Sequence, residues 1–471
     1  MDDVCLILEG TYPYVSGGVS SWVYQLIKNL RDTTFSIVFL GASRTTNKKL
    51  HYELPSNVRD FREYYLFDYR IKKEKTRRPT RSDFEKLARF FILQSKGDPS
   101  SFHEILDIIG NKDTRSISLF DLAHGRQAWN ILREIYDRDM KGVSFLDFFW
   151  TWRFLYLPFF SLIRIDLPPA RLYHAPSTGY AGVVGSMAKA AYNRPFLLTE
   201  HGIYTRERKI EISTSDWIYS EEARELKVLD RRDHFREWWI DMFSYFSRLA
   251  YSQADEIITL YEGNRKIQIE EGADPYRTRI IPNGIDVPKI IPEKNTDEKR
   301  KFRIGFVGRI VPIKDVKTLI RAITIVHSKE KEIEAWMLGP TDEDEEYFEE
   351  CRALVIANGL QDTVHFKGKV KLNEYYPQLD VIVLTSISEG QPLVTLEGFG
   401  FKVPCIATDV GSCRELIEGV SDEDKLFGPA GIVTSVCDPG ATADALLEII
   451  RDPEKRIRMG EAGRNRALKY Y

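Results

Sequence analysis

Short apolar segments alternate with helix-like segments along the chain, and this alternation is the feature that most limits the possible folds. Residues 4–8 are apolar, residues 10–18 have the composition of a glycine-rich turn, and apolar residues recur at helical spacing over residues 19–30. A second apolar segment follows at residues 36–40. Strands that alternate with helices in this way predict right-handed βαβ units and a parallel sheet.

The alternation pauses once in the first half of the chain. Further strands are predicted at residues 170–174, 195–200 and 256–260, whereas helical patterns dominate between them and the first pair of strands. We therefore expect an N-terminal Rossmann-like domain over residues 1–290 that contains a helical insertion at about residues 70–165.

A proline-containing and then charged stretch at residues 287–301 has the composition of a linker, and a second α/β series begins directly after it. Its strands are predicted at residues 303–307, 334–338, 363–366, 381–384, 403–407 and 431–433. The second domain is expected over residues 291–455. Residues 456–471 are expected to form the start of a final helix. The fold class is thus α/β, with two doubly wound domains facing a cleft at the carboxyl ends of their strands.

Composition excludes some classes of protein. The 471 residues include 67 Lys and Arg against 70 Asp and Glu, and a net charge of −3 does not fit a globally basic nucleic-acid binder. The five cysteines lack the close spacing of zinc or redox motifs, and the N-terminus lacks the basic start of a secretory signal. We expect a cytoplasmic protein with reduced cysteines.

The aromatic segment at residues 145–163 has three interpretations. It is long enough to span a bilayer, but it contains Asp147, Arg153 and Pro158. A buried or interdomain helix that ends near Pro158 is favoured, and a docking face for a membrane-bound partner is the alternative to it. A cluster of basic residues in the same insertion predicts a solvated surface or, alternatively, contact with an anionic membrane: Arg70, Lys72, Lys73, Lys75, Arg77, Arg78 and Arg81.

Two cations follow the first strand of the second domain. Arg309 and Lys314 stand five residues apart in a loop between that strand and a helix expected to start near Asp315. Cations fixed beside backbone amides would stabilise the charge that develops on a departing diphosphate, although two solvated side chains on a loop would give the same pattern.

Two carboxylates follow a later strand. Glu389 is predicted in a loop, Pro392 in the first turn of a helix, and Glu397 within that helix, so that helical rise separates the carboxylates by about 9–12 Å. A glycosidase pair works at about 5–9.5 Å, which favours two separate hydroxyl-binding groups, one for a sugar and one for a ribose. Each could alternatively be a solvated acid. The residues at the positive end of this helix are expected to face the ligand: Gly390, Gln391, Pro392, Leu393 and Val394.

The N-terminal domain offers two candidate binding elements. Gly17 and Gly18 lie between a strand and a helix, where backbone can approach a ligand closely, although a turn glycine pair is often only structural. His201 follows a strand's carboxyl end and could bond a sugar hydroxyl. The absence of G-x-G-x-x-G disfavours a nicotinamide oxidoreductase.

Taken together, these motifs resemble the GT-B retaining glycosyltransferases of family 4. The resemblance rests on Gly17-Gly18-Val19, His201, and four longer segments at residues 282–286, 307–314, 389–397 and 407–411. The opening residues 6–27 and the helical insertion resemble more narrowly the cytosolic glycosyltransferases of Pel exopolysaccharide synthesis.

The resemblance implies a role for each motif residue. Arg309 and Lys314 would hold a UDP-sugar's diphosphate, Glu389 the sugar hydroxyls and Glu397 the ribose. His201 would lie beside the donor sugar, and Gly18 on the phosphate and acceptor side. Such enzymes use no metal or other cofactor, and the leaving phosphate accepts the acceptor's proton during front-face substitution.

The same resemblance implies the partners. They would be a polysaccharide acceptor and an inner-membrane synthase and export complex, with no nucleic acid. The transferred sugar would be a hexose or N-acetylhexosamine. The alternative function is a non-catalytic scaffold that senses nucleotide sugars, which the intact set Arg309, Lys314, Glu389 and Glu397 disfavours.

Overall fold

The computed structural model describes residues 1–15, 17–44, 49–214, 232–291 and 300–471. The chain forms two compact units, Met1–Ile280 and Ile281–Tyr471. The division falls ten residues before the boundary predicted at 290/291. Most of the predicted linker, residues 292–299, lies outside the described residues.

The first unit is built on a seven-stranded parallel sheet with the order β3-β2-β1-β4-β5-β6-β7. The five strands predicted from the sequence are confirmed, and two others were not predicted, β3 and β7. The strands are β1 (Asp2–Glu9), β2 (Phe35–Gly41), β3 (Val58–Tyr65), β4 (Ala170–Ala175), β5 (Phe196–Glu200), β6 (Glu256–Thr259) and β7 (Thr278–Ile280).

Helices cover the sheet of the first unit, and five of them lie in sequence between β3 and β4, in the segment predicted as the insertion. The described helices are α1 (Gly18–Asn29), α2 (Arg81–Gln94), α3 (Phe102–Ile105), α4 (Leu119–His124), α5 (Arg126–Asp139), α6 (Phe145–Leu162), α7 (Tyr180–Tyr192), α8 (Tyr204–Thr214), α9 (Arg232–Gln253) and α10 (Glu262–Glu270). A π-helical turn, Leu106–Gly110, continues α3.

The aromatic segment forms α6, which does not end at Pro158 as predicted but continues to Leu162. An interior proline removes a hydrogen bond and crowds the preceding turn. Here the flanking residues Leu157, Phe159 and Phe160 are fully buried, and this packing holds the helix together across the proline. Much of the segment is core, as the buried-helix interpretation expected. Among the described residues, no helix is both long and apolar enough to cross a membrane.

The second unit contains a six-stranded parallel sheet with the order β10-β9-β8-β11-β12-β13. All six predicted strands are present, and their ends differ from the predicted ones by two residues at most. They are β8 (Phe302–Val307), β9 (Ile333–Leu338), β10 (Val364–Gly368), β11 (Val381–Leu384), β12 (Cys405–Thr408) and β13 (Gly431–Thr434).

The helices of the second unit alternate with its strands. They are α11 (Val316–Lys329), α12 (Glu345–Ala357), α13 (Leu372–Tyr375), α14 (Leu393–Gly400), α15 (Cys413–Glu418), α16 (Asp422–Lys425), α17 (Pro439–Arg451) and α18 (Pro453–Tyr470). The last helix starts three residues before the predicted residue 456. It packs closely on α14, because a Cβ added to Gly463 would lie 2.6 Å from the Phe399 ring.

A buried ion pair fixes α18 within the second unit. The Arg466 guanidinium is fully buried and donates to Asp424 Oδ1 at 2.5 Å and to the carbonyl oxygens of Leu416, Ile417, Asp424 and Gly428. The N–H groups that do not contact the carboxylate thus donate to backbone carbonyl oxygens. These hydrogen bonds offset the cost of burying the positive charge in the core.

Removing the carboxylate should therefore destabilise the second unit. We expect Asp424→Ala to lower the free energy of unfolding in urea by about 3–5 kcal/mol, because Arg466 is left as an uncompensated buried charge. Asp422→Ala, on the exposed side of the same short helix, is the control and should change it by less than about 0.5 kcal/mol. Equal effects of the two variants would contradict the role assigned to the ion pair.

Candidate functional site

The loop after β8 is shaped by two residues with positive φ. Gly308 has φ 155°, and Asp315 has φ 43°. Between them, Pro312–Lys314 forms a single 3₁₀ turn, and the Asp315 carboxylate caps α11 by accepting from the Thr318 amide. The helix starts next to Asp315 as predicted, and the turn fixes Lys314 directly before it.

Lys314 forms an ion pair with Glu389, which lies 75 positions later in the chain. The distance from Lys314 Nζ to Glu389 Oε1 is 2.5 Å, and the side chains are only 19% and 11% exposed. Ser386 Oγ donates to the same carboxylate oxygen at 2.6 Å. The structure therefore brings together two of the predicted site residues, and the shielded position strengthens their attraction.

The loop that carries Glu389 is held by its neighbour, the loop after β12. The amide of Ser412 donates to the Gly390 carbonyl oxygen. Gly411 has φ 55°, and a Cβ there would lie 2.3 Å from the carbonyl oxygens of both Glu389 and Gly390. Only glycine permits this approach, so Gly411 sets the position of the predicted ligand loop.

Pro392 was predicted in the first turn of a helix. In the structure α14 begins at Leu393, and Pro392 is the residue directly before it. The first amides of a helix have no partner within it, and here they belong to Leu393 and Val394. Gln391 is buried, and its Oε1 accepts from the Asn283 amide at 2.6 Å. The Gln391 side chain therefore anchors the loop within the second unit.

Glu397 lies in α14, as predicted, and has a different partner from Glu389. The Tyr376 hydroxyl donates to Glu397 Oε2 at 2.6 Å. Burial raises the pKa of Glu397, and the hydrogen bond from Tyr376 opposes that rise. One oxygen of the Glu397 carboxylate is therefore fixed by the Tyr376 hydroxyl. Tyr376 is uncharged, so a search of the sequence for charged residues does not find it.

Arg309 is not in contact with the Lys314–Glu389 pair in this structure. Its Nη1 pairs with Glu343, and both side chains are about half exposed. The two residues predicted to bind the diphosphate thus have different surroundings. Lys314 is shielded and paired with Glu389, whereas Arg309 is exposed and paired with Glu343.

In the first unit, Gly17 and Gly18 begin α1. Gly17 is the residue before the helix and Gly18 its first residue. A Cβ at either position would meet nothing within 4 Å, so the space beside this turn is open. Ser16, which was part of the predicted motif, lies outside the described residues.

His201 directly follows β5, and its ring lies 4.7 Å from the Trp22 ring of α1, edge to face. Burial lowers the pKa of His201 to about 4, which keeps the imidazole neutral near pH 7. Its Nε2 is buried without a partner among the described residues. A buried polar atom without a partner is costly, and a ligand hydroxyl would satisfy it.

One acidic residue of the same unit was not predicted. Glu9, at the end of β1, accepts from the Tyr204 hydroxyl at 3.0 Å and from the Ala181 amide at 3.3 Å. The signal available in the sequence was an acid directly after an apolar strand, the same pattern that led to the prediction for His201.

Among the described residues, no cluster of three or more His, Cys, Asp or Glu could hold a metal ion.

A second histidine of the first unit should make stability depend on pH. Burial lowers the pKa of His174 to about 3, with a smaller contribution from His201. His174 therefore becomes protonated near pH 6.5 in the unfolded chain, but only near pH 3 in the folded chain. The free energy of unfolding should thus fall as the pH decreases from 6.5 towards 3. We expect His174→Gln to reduce this slope by up to about 1.4 kcal/mol per pH unit, measured by urea unfolding at several pH values. An unchanged slope would contradict the buried neutral state.

The Tyr376 contact can be tested on the carboxylate itself. Since the phenol lowers the pKa of Glu397, Tyr376→Phe should raise that pKa in a carboxyl NMR titration. Tyr375→Phe is the matched control, because the ring of Tyr375 packs on Trp336. A similar upward shift in both variants would show that the hydrogen bond is not its cause.

Comparison with known proteins identifies both halves of the chain. Residues 2–276 match the family model described as "Domain of unknown function (DUF3492)", and residues 287–466 match "Glycosyl transferases group 1". The chain is 27% identical over 220 residues to a D-inositol 3-phosphate glycosyltransferase of Corynebacterium urealyticum, covering 43% of this chain and 50% of that one. It is 22% identical over 297 residues to an MMP alpha-(1->4)-mannosyltransferase of Mycolicibacterium hassiacum, covering 61% and 64%. The chain spans about half the length of several curated relatives it matches.

Solved structures support the fold. Anabaena HepE in complex with UDP and glucose matches with a TM-score of 0.58 at 14% identity, covering all of this chain and 96% of that one. Sucrose-phosphate synthase from Thermosynechococcus elongatus matches with a TM-score of 0.58 at 17% identity, covering 99% and 94%. At these identities the likeness shows the fold alone, and it confirms the predicted GT-B class of two Rossmann-like domains.

Proposed function

Because the chain belongs to the family described as domain of unknown function (DUF3492) and carries a group 1 glycosyl transferase domain, we propose that it is a retaining glycosyltransferase. It transfers a hexose or N-acetylhexosamine from a UDP-sugar to a growing exopolysaccharide and needs no metal. The observation that carries this proposal is the shielded Lys314–Glu389 pair, in which a cation and a hydroxyl acceptor adjoin a helix N-terminus. HepE structures with UDP and with UDP-glucose support a uridine donor.

The donor diphosphate would bind by exchange of partners. Its oxygens take the Lys314 ammonium from Glu389, and Arg309 leaves Glu343 to meet the same group. The amides of Leu393 and Val394 face the phosphates with the positive end of α14. These fixed donors stabilise the charge that develops on the leaving oxygen, which is the largest contribution expected from this site.

The two carboxylates would bind the two sugars of the donor. Glu389, released from Lys314 but still bonded to Ser386, accepts hydroxyls of the transferred sugar. Glu397 is held by Tyr376 through one oxygen, and its other oxygen accepts the ribose hydroxyls. Gly390, Gln391 and Pro392 shape the turn between these groups.

The first unit offers binding groups of its own. The neutral His201 would accept a ligand hydroxyl, since its Nε2 has no protein partner among the described residues. Gly17 and Gly18 leave open space beside the start of α1.

The reaction balances without an enzyme nucleophile. The bond from the anomeric carbon to the UDP oxygen breaks, and a bond to the acceptor hydroxyl oxygen forms on the same face of the sugar. The hydroxyl proton moves to the departing phosphate, and the products are UDP and the extended polysaccharide.

The partners follow from a narrower resemblance. In sequence, residues 6–27 and the segment at about 70–165 resemble PelF, the cytosolic glycosyltransferase of Pel exopolysaccharide synthesis. On this basis the chain works in the cytoplasm, at the inner membrane, beside a synthase and export complex.

Substitution of the paired residues tests the site. We expect Lys314→Ala to slow UDP release from UDP-glucose or UDP-N-acetylhexosamines by about 10²–10³-fold, the effect of removing one fixed donor from a leaving-group site. Glu389→Gln should also slow it, because the hydroxyls of the transferred sugar lose a charged acceptor. Lys317 and Glu350 form a second pair with a 2.5 Å contact in the same unit. Lys317→Ala and Glu350→Gln are therefore matched controls and should leave UDP release unchanged.

A panel of nucleotide sugars separates the enzyme from the scaffold. A donor that binds the folded chain should raise its thermal unfolding midpoint, and the effect should be lost in Lys314→Ala. Protection without UDP release by the intact chain would favour the non-catalytic scaffold. Turnover unaffected by Lys314→Ala and Glu389→Gln would show that the site is assigned wrongly.

A further inference from the structure

One face of α6 exposes large apolar side chains to solvent. Leu146, Trp150 and Phe154 are 63%, 52% and 52% exposed. They are spaced four residues apart, so they form one row along the helix. The opposite side of α6 is packed into the core through residues such as Phe148 and Leu155, which are fully buried.

The row extends onto two neighbouring segments. The ring of Phe67, after β3, lies 5.8 Å from that of Phe154. Trp129 of α5, 44% exposed, lies 6.0 Å from Phe149, whose ring is 5.4 Å from that of Trp150. The residues Phe67, Trp129, Leu146, Trp150 and Phe154 are called the aromatic surface below. Large contiguous apolar patches are uncommon on the surfaces of monomeric proteins, and where they occur they mark interaction sites.

Cations lie among these aromatic rings. The Arg153 guanidinium is 5.5 Å from the centre of the Phe149 ring and 5.8 Å from that of Trp150. Arg153 and Arg126 also line a cavity of about 210 Å³ beside Trp129. Arg153 Nη1 donates to the neutral carbonyl oxygen of Ala123 at 3.5 Å. No carboxylate partner is seen for either guanidinium across the residues that the structure describes, so both keep their charge for an outside partner.

A basic segment borders the same surface. It begins three residues after Phe67, and its cations are exposed: Arg70, Lys72, Lys73, Lys75, Arg77, Arg78 and Arg81. Lys73 lies over the Phe120 ring at 5.3 Å, which ties the segment to α4. The nearby acid Asp121 is engaged in the cap of α4, and Asp147 in the first turn of α6 is partly buried.

We propose that the aromatic surface binds a bilayer that contains anionic phospholipid. Leu146, Trp150 and Phe154 enter the boundary between headgroups and acyl chains, while Arg126 and Arg153 contact lipid phosphates. A helix that presents Trp, Phe and Leu outward, with arginine and lysine at the rim, has the composition of one that lies in the plane of a membrane interface. The cations make an anionic lipid the complementary partner, and a neutral one much weaker.

This inference does not depend on the proposed sugar transfer, and flotation with vesicles tests it directly. The full chain should float with vesicles of phosphatidylcholine and phosphatidylglycerol, less at high salt, and not with phosphatidylcholine alone. The double variant Trp150→Ser/Phe154→Ser should bind at least about tenfold more weakly, since burial of each side chain is lost. Ile457→Ser is the control, because Ile457 is a similarly exposed apolar residue of the second unit, at 63%.

Charge variants test the other half of the surface. Arg126→Gln/Arg153→Gln should weaken binding by about 25-fold, since each cation near an anionic bilayer contributes about fivefold. Arg352→Gln, an exposed arginine of the second unit, should not. If the arginine variant has a lower unfolding midpoint, Lys72→Gln/Lys73→Gln provides the same test from the basic segment.

Three results would overturn the proposal. These are no flotation of the intact chain, equal flotation with neutral and anionic vesicles, and equal loss of binding in the control variants. Capture by a membrane protein without flotation would show that the aromatic surface is a protein interface instead. UDP release measured without vesicles should be the same in all these variants, so failure here is distinguishable from failure of the proposed function.

Discussion

The parallel pairing of strands is the constraint on which both candidate sites depend. In a parallel sheet all carboxyl ends lie at one edge, and the loops that leave them are brought together whatever their separation in sequence. In the first unit this edge carries Glu9 at the end of β1 and His201 after β5. In the second it carries Lys314 after β8, Glu389 after β11 and Gly411 after β12. The Lys314–Glu389 contact spans 75 positions because β8 and β11 are neighbours in the sheet.

Much of this arrangement was predictable from the sequence, because buried parallel strands are short apolar runs bounded by turn residues. The strands that were missed depart from that pattern. Strand β3 lies at the sheet edge, contains four charged residues and is nowhere fully buried, and β7 has only three residues. The position of Pro158 was misleading for a related reason: a local rule predicted a helix end, but tertiary packing of Phe159 and Phe160 decided the outcome.

The site was predictable as a set of residues rather than as a set of contacts. Sequence motifs selected Lys314, Glu389 and Glu397, but gave no indication that the first two are bonded to each other. The supporting groups Ser386 and Tyr376 carry no charge and belong to no motif, so only the folded chain reveals them. Likewise, the edge-to-face contact between His201 and Trp22, and the lack of a partner for His201 Nε2 within the described part of the chain, cannot be read from spacing along the sequence.

Under the proposed function, the Lys314–Glu389 pair would also determine which molecules are poor ligands. A small anion such as inorganic phosphate would take the ammonium only by leaving the carboxylate of Glu389, which is almost buried, with Ser386 alone. That cost would offset most of the attraction. A ligand with negative charge at one end and hydroxyl groups next to it would avoid this cost, because it would supply new partners to both members of the pair. The mutual neutralisation of Lys314 and Glu389 would then favour such a ligand over the abundant phosphates of the cell, since selectivity would arise from the requirement to satisfy both residues at once.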